Sequence, residues 1–103
     1  MPGISALPAT QSASRVAVGG VCQKIAISGT SAQSAAIAGH LVHVTPTVDC
    51  YVREAANPTA SATGVDHFLV ANATQSFAVT RGNKLAFITE GAAGTVRIAE
   101  VGL

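Results

Sequence analysis

From about Arg15 onward, short stretches rich in Val, Ile, Phe and Thr alternate with clusters of Gly, Asn, Pro and Ser, and this rhythm is what most constrains the fold. Runs so short, closed off by turn formers, suit strands and leave no room for a helical period. The spacing predicts strands at Ser14–Val18, Val21–Ser28, Ser34–Ala38, Leu41–Thr45, Asp49–Glu54, His67–Ala71, Ser76–Val79, Lys84–Thr89 and Thr95–Val101. The implied architecture is all-β: one antiparallel, jelly-roll-like β-sandwich of about eight strands over residues 15–103. Residues 1–14, with two prolines and no periodicity, read as an extended arm that orders when something receives it.

Successive side chains of a strand point to opposite faces, so inward positions recur every second residue. This puts Val21, Ile25 and Ile27 on one face with Gln23, and Cys22, Lys24, Ala26 and Ser28 on the other. By the same rule Phe68 and Val70, Leu85 and Phe87, and Val96 and Ile98 are expected in the core, with Arg97 outward. Pro46 lacks an N–H and has a fixed φ, which fits a hairpin turn better than a central strand. Arg81-Gly82-Asn83 and Glu90-Gly91-Ala92-Ala93-Gly94 read as two further hairpin turns. The long irregular piece Ala55 to Asp66 reads as the crossover between sheets.

The two halves of the domain echo each other at an offset of about 42 to 44 residues. Ile25–Gly29 aligns with Phe68–Asn72, Ala32–Ile37 with Thr74–Val79, Gly39 with Gly82, Leu41–Val44 with Leu85–Ile88, and Cys50–Val52 with Val96–Ile98. Two four-strand units facing each other over an Ala-rich interior would account for it. Chance similarity between two Ala-rich β segments is the competing account.

Composition bounds the function. Of the 103 residues, 49% are hydrophobic, but twenty are Ala and only four are aromatic, so the core is thin. Charged residues make up 11%, against about 25% in an ordinary soluble domain. So weakly hydrated a surface suits burial against neighbours, which points to an oligomer or assembly component. A net charge of +1 from six scattered Lys and Arg argues against nucleic-acid binding. No apolar run reaches the roughly 20 residues of a membrane helix, and the N-terminal stretch has no signal-peptide pattern, so synthesis in the cytoplasm is expected. Cys22 and Cys50 are expected as buried, reduced thiols, with a disulfide as the alternative.

A search for chemistry finds no constellation. His40 and His43 are three apart in a strand, so they diverge and do not share a metal ion. His67 beside Asp66 diverges for the same reason and has no neighbouring nucleophile. Asp49, Glu54, Asp66, Glu90 and Glu100 are scattered near strand ends and turns, where solvation accounts for them. Asn72-Ala73-Thr74 matches a glycosylation sequon, but without a secretory signal the match is idle, and Gly19-Gly20 lacks the following Lys-Ser or Lys-Thr of a phosphate loop. A sugar-binding platform needs exposed aromatics, and Tyr51 with three Phe residues is mostly consumed by the core. No catalytic, cofactor-binding or metal-ligating residue is assigned, and no cofactor is implied.

The stretch Leu41–Glu54, the following Asn57-Pro58-Thr59-Ala60, and the segments Gly82–Ile88 and Gly94–Ile98 resemble small Ala/Gly/Thr-rich structural proteins of tailed bacteriophages. The resemblance spans about residues 20–101 and contains no catalytic residue to carry over. It implies a non-enzymatic virion protein: a capsid decoration, cement or minor head protein. The implied partners are further copies of the chain, a trimer among the options, and the major capsid protein or other virion proteins. A ligand- or receptor-binding sandwich of a tail or fibre is the alternative.

Overall fold

The computed structural model describes residues 15–16 and 22–102; the expected arm, residues 1–14, and Val21 lie outside the described residues. Nine strands run through the described chain: β1 (Arg15–Val16), β2 (Cys22–Ile27), β3 (Ala32–Gln33), β4 (Leu41–Pro46), β5 (Cys50–Ala55), β6 (His67–Leu69), β7 (Gln75–Ala78), β8 (Lys84–Ile88) and β9 (Gly94–Gly102). Among the described residues there is no helix, and hence none long and apolar enough to cross a membrane.

The strands form two antiparallel sheets. Sheet I has the order β1-β9-β4-β7 with β2 also paired to β9, and sheet II has the order β3-β8-β5-β6. The pairing is nested: β5 pairs with β6, β4 with β7, β3 with β8, and β2 with β9. Two further ladders, β4 with β9 and β5 with β8, join these pairs into sheets. The all-β sandwich expected from the strand rhythm is therefore present.

Its connections differ from the expected ones. Consecutive strands from β2 to β5, and from β6 to β9, alternate between sheets, so the short turns are arches and not hairpins. Layers packed about 10 Å apart are within reach of three or four extended residues, so a short turn can cross between them. Conversely Ala55 to Asp66, expected as the crossover, joins β5 to its own neighbour β6 within sheet II. Pro46 is not in a hairpin turn; it is the buried last residue of the inner strand β4. Ending the strand costs little there, because its carbonyl still accepts from Asn72 N at 2.8 Å.

The predicted strand Ser34–Ala38 is also displaced: β3 is Ala32–Gln33, and Ser34–Ala38 runs irregularly beside β8. Ser34 donates its N–H to the Leu85 carbonyl at 2.7 Å and accepts the Leu85 N–H on Oγ at 3.0 Å. Its hydroxyl thus replaces a backbone carbonyl in the ladder, which ends regular pairing at this point.

The two inner faces meet in a core of Ile27, Val42, Val44, Val96 and Ile98 from sheet I and Cys50, Val52, Leu69, Leu85 and Phe87 from sheet II, capped by Ile37 and Val79. Ile25 is partly buried against it. The expected pairs Leu85/Phe87 and Val96/Ile98 are inward; Phe68 and Val70 are not. Leu69 is 0% exposed, whereas Phe68 and Val70 are 43% and 50% exposed. A one-residue shift inverts both faces of a strand, and Phe68-Leu69-Val70 is apolar in either register. Nor is the interior Ala-rich. Of the described alanines only Ala60 and Ala86 are buried, because longer side chains repay core positions with more transferred area.

The internal echo is visible in the topology. Each half places two strands in each sheet, and the repeat carries the pair β2·β9 onto β6·β5, β3·β8 onto β7·β4, and β4·β9 onto β8·β5. Burial corrects two of the offsets: Ile27 corresponds to Leu69, and Val42 and Val44 to Leu85 and Phe87, one residue from the alignment read off the sequence. The halves are interleaved across both layers; they are not two facing units.

Candidate functional site

All five carboxylates have structural partners. Glu100 is buried and accepts from Ala38 N and Gly39 N at 3.2 and 2.9 Å, tying the irregular segment to β9. Glu54 accepts from Thr80 N and Asn83 Nδ2, Asp49 from Ala71 N, and Asp66 from Ser61 N and Arg53 Nε. Glu90 accepts from Tyr51 Oη at 2.6 Å. Solvation was the expected reason for these charges. For Glu100, and for Asp66 with a side chain only 4% exposed, that is corrected: they are charge-assisted clamps on backbone N–H groups.

The residues singled out for chemistry do not converge. His43 points outward from β4, while His40 is exposed in the turn before it. His67 Nε2 lies 3.0 Å from Gln75 Oε1, and its ring meets Phe77 edge-on at 5.3 Å, away from the Asp66 carboxylate on Arg53. Among the described residues no three His, Cys, Asp or Glu side chains are grouped to hold a metal ion. The cysteines are both free: Cys50 is buried as expected, but Cys22 is exposed on the outer face of sheet I. Burial pushes the Cys50 thiol up to about 11, with the Asp49 charge adding to the effect.

What the fold does assemble is two outer faces of opposite character. On sheet I, register places Lys24 directly across from Arg97 and Arg97 across from Thr45, with His43, Ala99 and Cys22 in the next row. Thr45 Oγ1 is 2.6 Å from Thr74 Oγ1, which extends the first row. Small side chains between larger basic ones leave an open depression of about 520 Å³ lined by Lys24, Arg97, His43, Thr45 and Thr74.

On sheet II, Tyr51 and Phe68 are register partners with ring centroids 5.3 Å apart. With Asp49, Glu90 and Ala92 they line a second, more polar corner. Val70 extends its apolar part, and Val65, 71% exposed, lies in the preceding loop. The Tyr51 phenol is raised above its ordinary range, chiefly because it donates to the Glu90 carboxylate; slight desolvation and the Glu90 and Asp49 charges act the same way. The sequence reading assigned Phe68 to the core and so missed this corner. Tyr51 beside a carboxylate-rich turn was the available signal.

A third hollow, about 380 Å³, opens between the sheets at the β6/β7 edge, with Val52, Val79 and Leu85 inside and His67, Glu54 and Phe77 at its rim. No protein-family model, curated protein or solved structure matches the chain.

Proposed function

We propose that the chain is a non-enzymatic structural protein of a virion, a capsid decoration, cement or minor head protein that associates with copies of itself and with the capsid lattice. The observation that carries this reading is the outward Phe68–Val70 edge on a surface with so few charges. An apolar ring and a valine left half in water are stabilised by covering them with another protein surface. The sequence resemblance to phage structural proteins supports the virion setting. The nested pairing supports a jelly roll, in which eight strands in two Greek keys fold as two layers.

Light scattering on the purified chain should give a mass that is a multiple of 10.2 kDa. Washed virus particles should retain the chain. Absence from particles, together with a monomer at high concentration, rejects the reading.

The corner of Asp49, Tyr51, Phe68 and Glu90 favours a second reading, a ligand-binding module of a tail or fibre. Aromatic faces beside carboxylate acceptors suit a sugar, whose C–H groups stack while its hydroxyls donate. Saturable quenching of Tyr51 fluorescence by an oligosaccharide, lost in Phe68→Ala, would favour it over assembly.

A further inference from the structure

We infer that the basic depression on sheet I receives the acidic, aromatic corner of sheet II from a second copy of the chain, in a head-to-tail contact. This rests on the self-association proposed above and names the two surfaces that meet.

The argument starts from Lys24 and Arg97. They are direct cross-strand partners in the β2·β9 ladder, both outward and exposed. Like charges so placed stand about 5 Å apart at Cβ and oppose the pairing of their strands. In the described residues the sole ion pair is Arg53 with Asp66, and all five carboxylates are engaged away from this face. Among the described residues no carboxylate therefore compensates the repulsion. An external anion relieves it.

Sheet II carries a matching group. Asp49 and Glu90 each commit one carboxylate oxygen internally, to Ala71 N and Tyr51 Oη, and each has a second oxygen to offer. Phe68 projects beside Tyr51 from the edge strand β6 and lines the same corner as both carboxylates. The depression opposite is open, with Cys22, Ala99, Thr45 and Thr74 beside the two cations, which leaves room for a ring while Lys24 and Arg97 meet the carboxylates of that corner. An Arg or Lys against an aromatic face adds attraction of the same sense. The two surfaces lie on opposite outer faces of one sandwich, so the contact is heterologous and continues from copy to copy, as a closed ring or an open filament.

The test uses charge reversal on the full chain. Lys24→Glu and Glu90→Lys are at exposed positions, and thermal melts with circular dichroism confirm that each folds; Arg97→Glu is the substitute should Lys24→Glu not fold. Sedimentation at low salt should show association in the unmodified chain, weakened about tenfold or more in each single variant, since like-charge juxtaposition is costly at an interface. An equimolar mixture of the two variants should recover it, because each supplies the face that the other needs. Raising the salt should weaken it as the Debye length falls from about 10 Å to about 3 Å.

Association unchanged in both variants, or no recovery on mixing, overturns this contact while leaving self-association through another face intact. A monomeric unmodified chain that still occupies virus particles also overturns the contact but supports the virion reading. Retention of duplex DNA in a gel, abolished by Lys24→Glu without any change in association, would assign the depression to a polyanion instead.

Discussion

The two sheets are alike inside and unlike outside. Each inner face is built of β-branched and larger apolar residues, apart from Cys50, with five residues from each sheet in the principal cluster. Outside, sheet I is a field of small side chains bearing Lys24, Arg97 and His43, while sheet II carries Tyr51, Phe68, Asp49 and Glu90. Inner faces must match because they fill one shared space at crystal-like density. Outer faces are free of that demand, so their difference reflects what lies beyond the molecule.

The sharpest test of this division lies within three consecutive residues of β6 and its end. Leu69→Ala should cost about 2–5 kcal/mol in denaturant unfolding, the range for emptying a buried leucine site. Phe68→Ser should cost no more than about 1 kcal/mol, the scale of losing its cross-strand pair with Tyr51, and show its main effect in association. Equal costs for the two would erase the distinction between inner and outer faces.

Next in size is the end of the sandwich where β9 begins. A Cβ at Gly94 would lie 2.6 Å from Val48 Cγ2, within the arch between β4 and β5. Gly94→Ala should therefore destabilise by about 1–3 kcal/mol through overpacking. Gly82 has φ of 91° but open space around it, so Gly82→Ala is strained by backbone conformation alone, at about 1 kcal/mol. A reversed ranking in thermal melts would show that the arch has room to give.

The cysteines extend the comparison to pH. Cys50 has a folded pKa of about 11 against an ordinary value of 9.0. As pH rises past 9 the unfolded chain loses this proton while the folded chain keeps it, so the unfolded state binds fewer protons and stability falls. The loss runs from about pH 9 and levels off above about 11, and Cys50→Ala should remove it. In the native protein a thiol reagent should modify Cys22 alone. Rapid modification of both would place Cys50 outside the core. Smallest of all, Thr74→Ala should change stability by no more than about 1 kcal/mol, because its hydroxyl is bonded only to Thr45 at the exposed surface.

How much of this could be read from the residues depended on whether each strand carried its own marker. In Val96-Arg97-Ile98 the guanidinium must face water, so the parity of β9 follows at once. Phe68-Leu69-Val70 has no such marker, and three apolar residues fit either face. What decides there is the partner strand: Leu69 lies opposite the buried Cys50, and Phe68 opposite Tyr51. That register is a property of the pair, invisible along one strand. The connections were illegible for a related reason. Glycine and asparagine supply the same backbone freedom to an arch as to a hairpin, so Arg81-Gly82-Asn83 announces a turn but not where it leads. The basic depression was hidden likewise, since Lys24 and Arg97 are far apart in sequence and meet only through the β2·β9 ladder.

The pairing of β2 with β9 also sets how the molecule bears a load. Cys22 of β2 lies against Ala99 of β9 and Val16 of β1 against Val101, so β9 is paired along its length by the two strands that open the described chain. Tension pulling the Cys22 and Ala99 ends of β2 and β9 apart would peel their hydrogen bonds one after another, like a zip. Tension spread over the outer faces would have to shear whole ladders at once. A subunit of this design is best gripped by its broad sides.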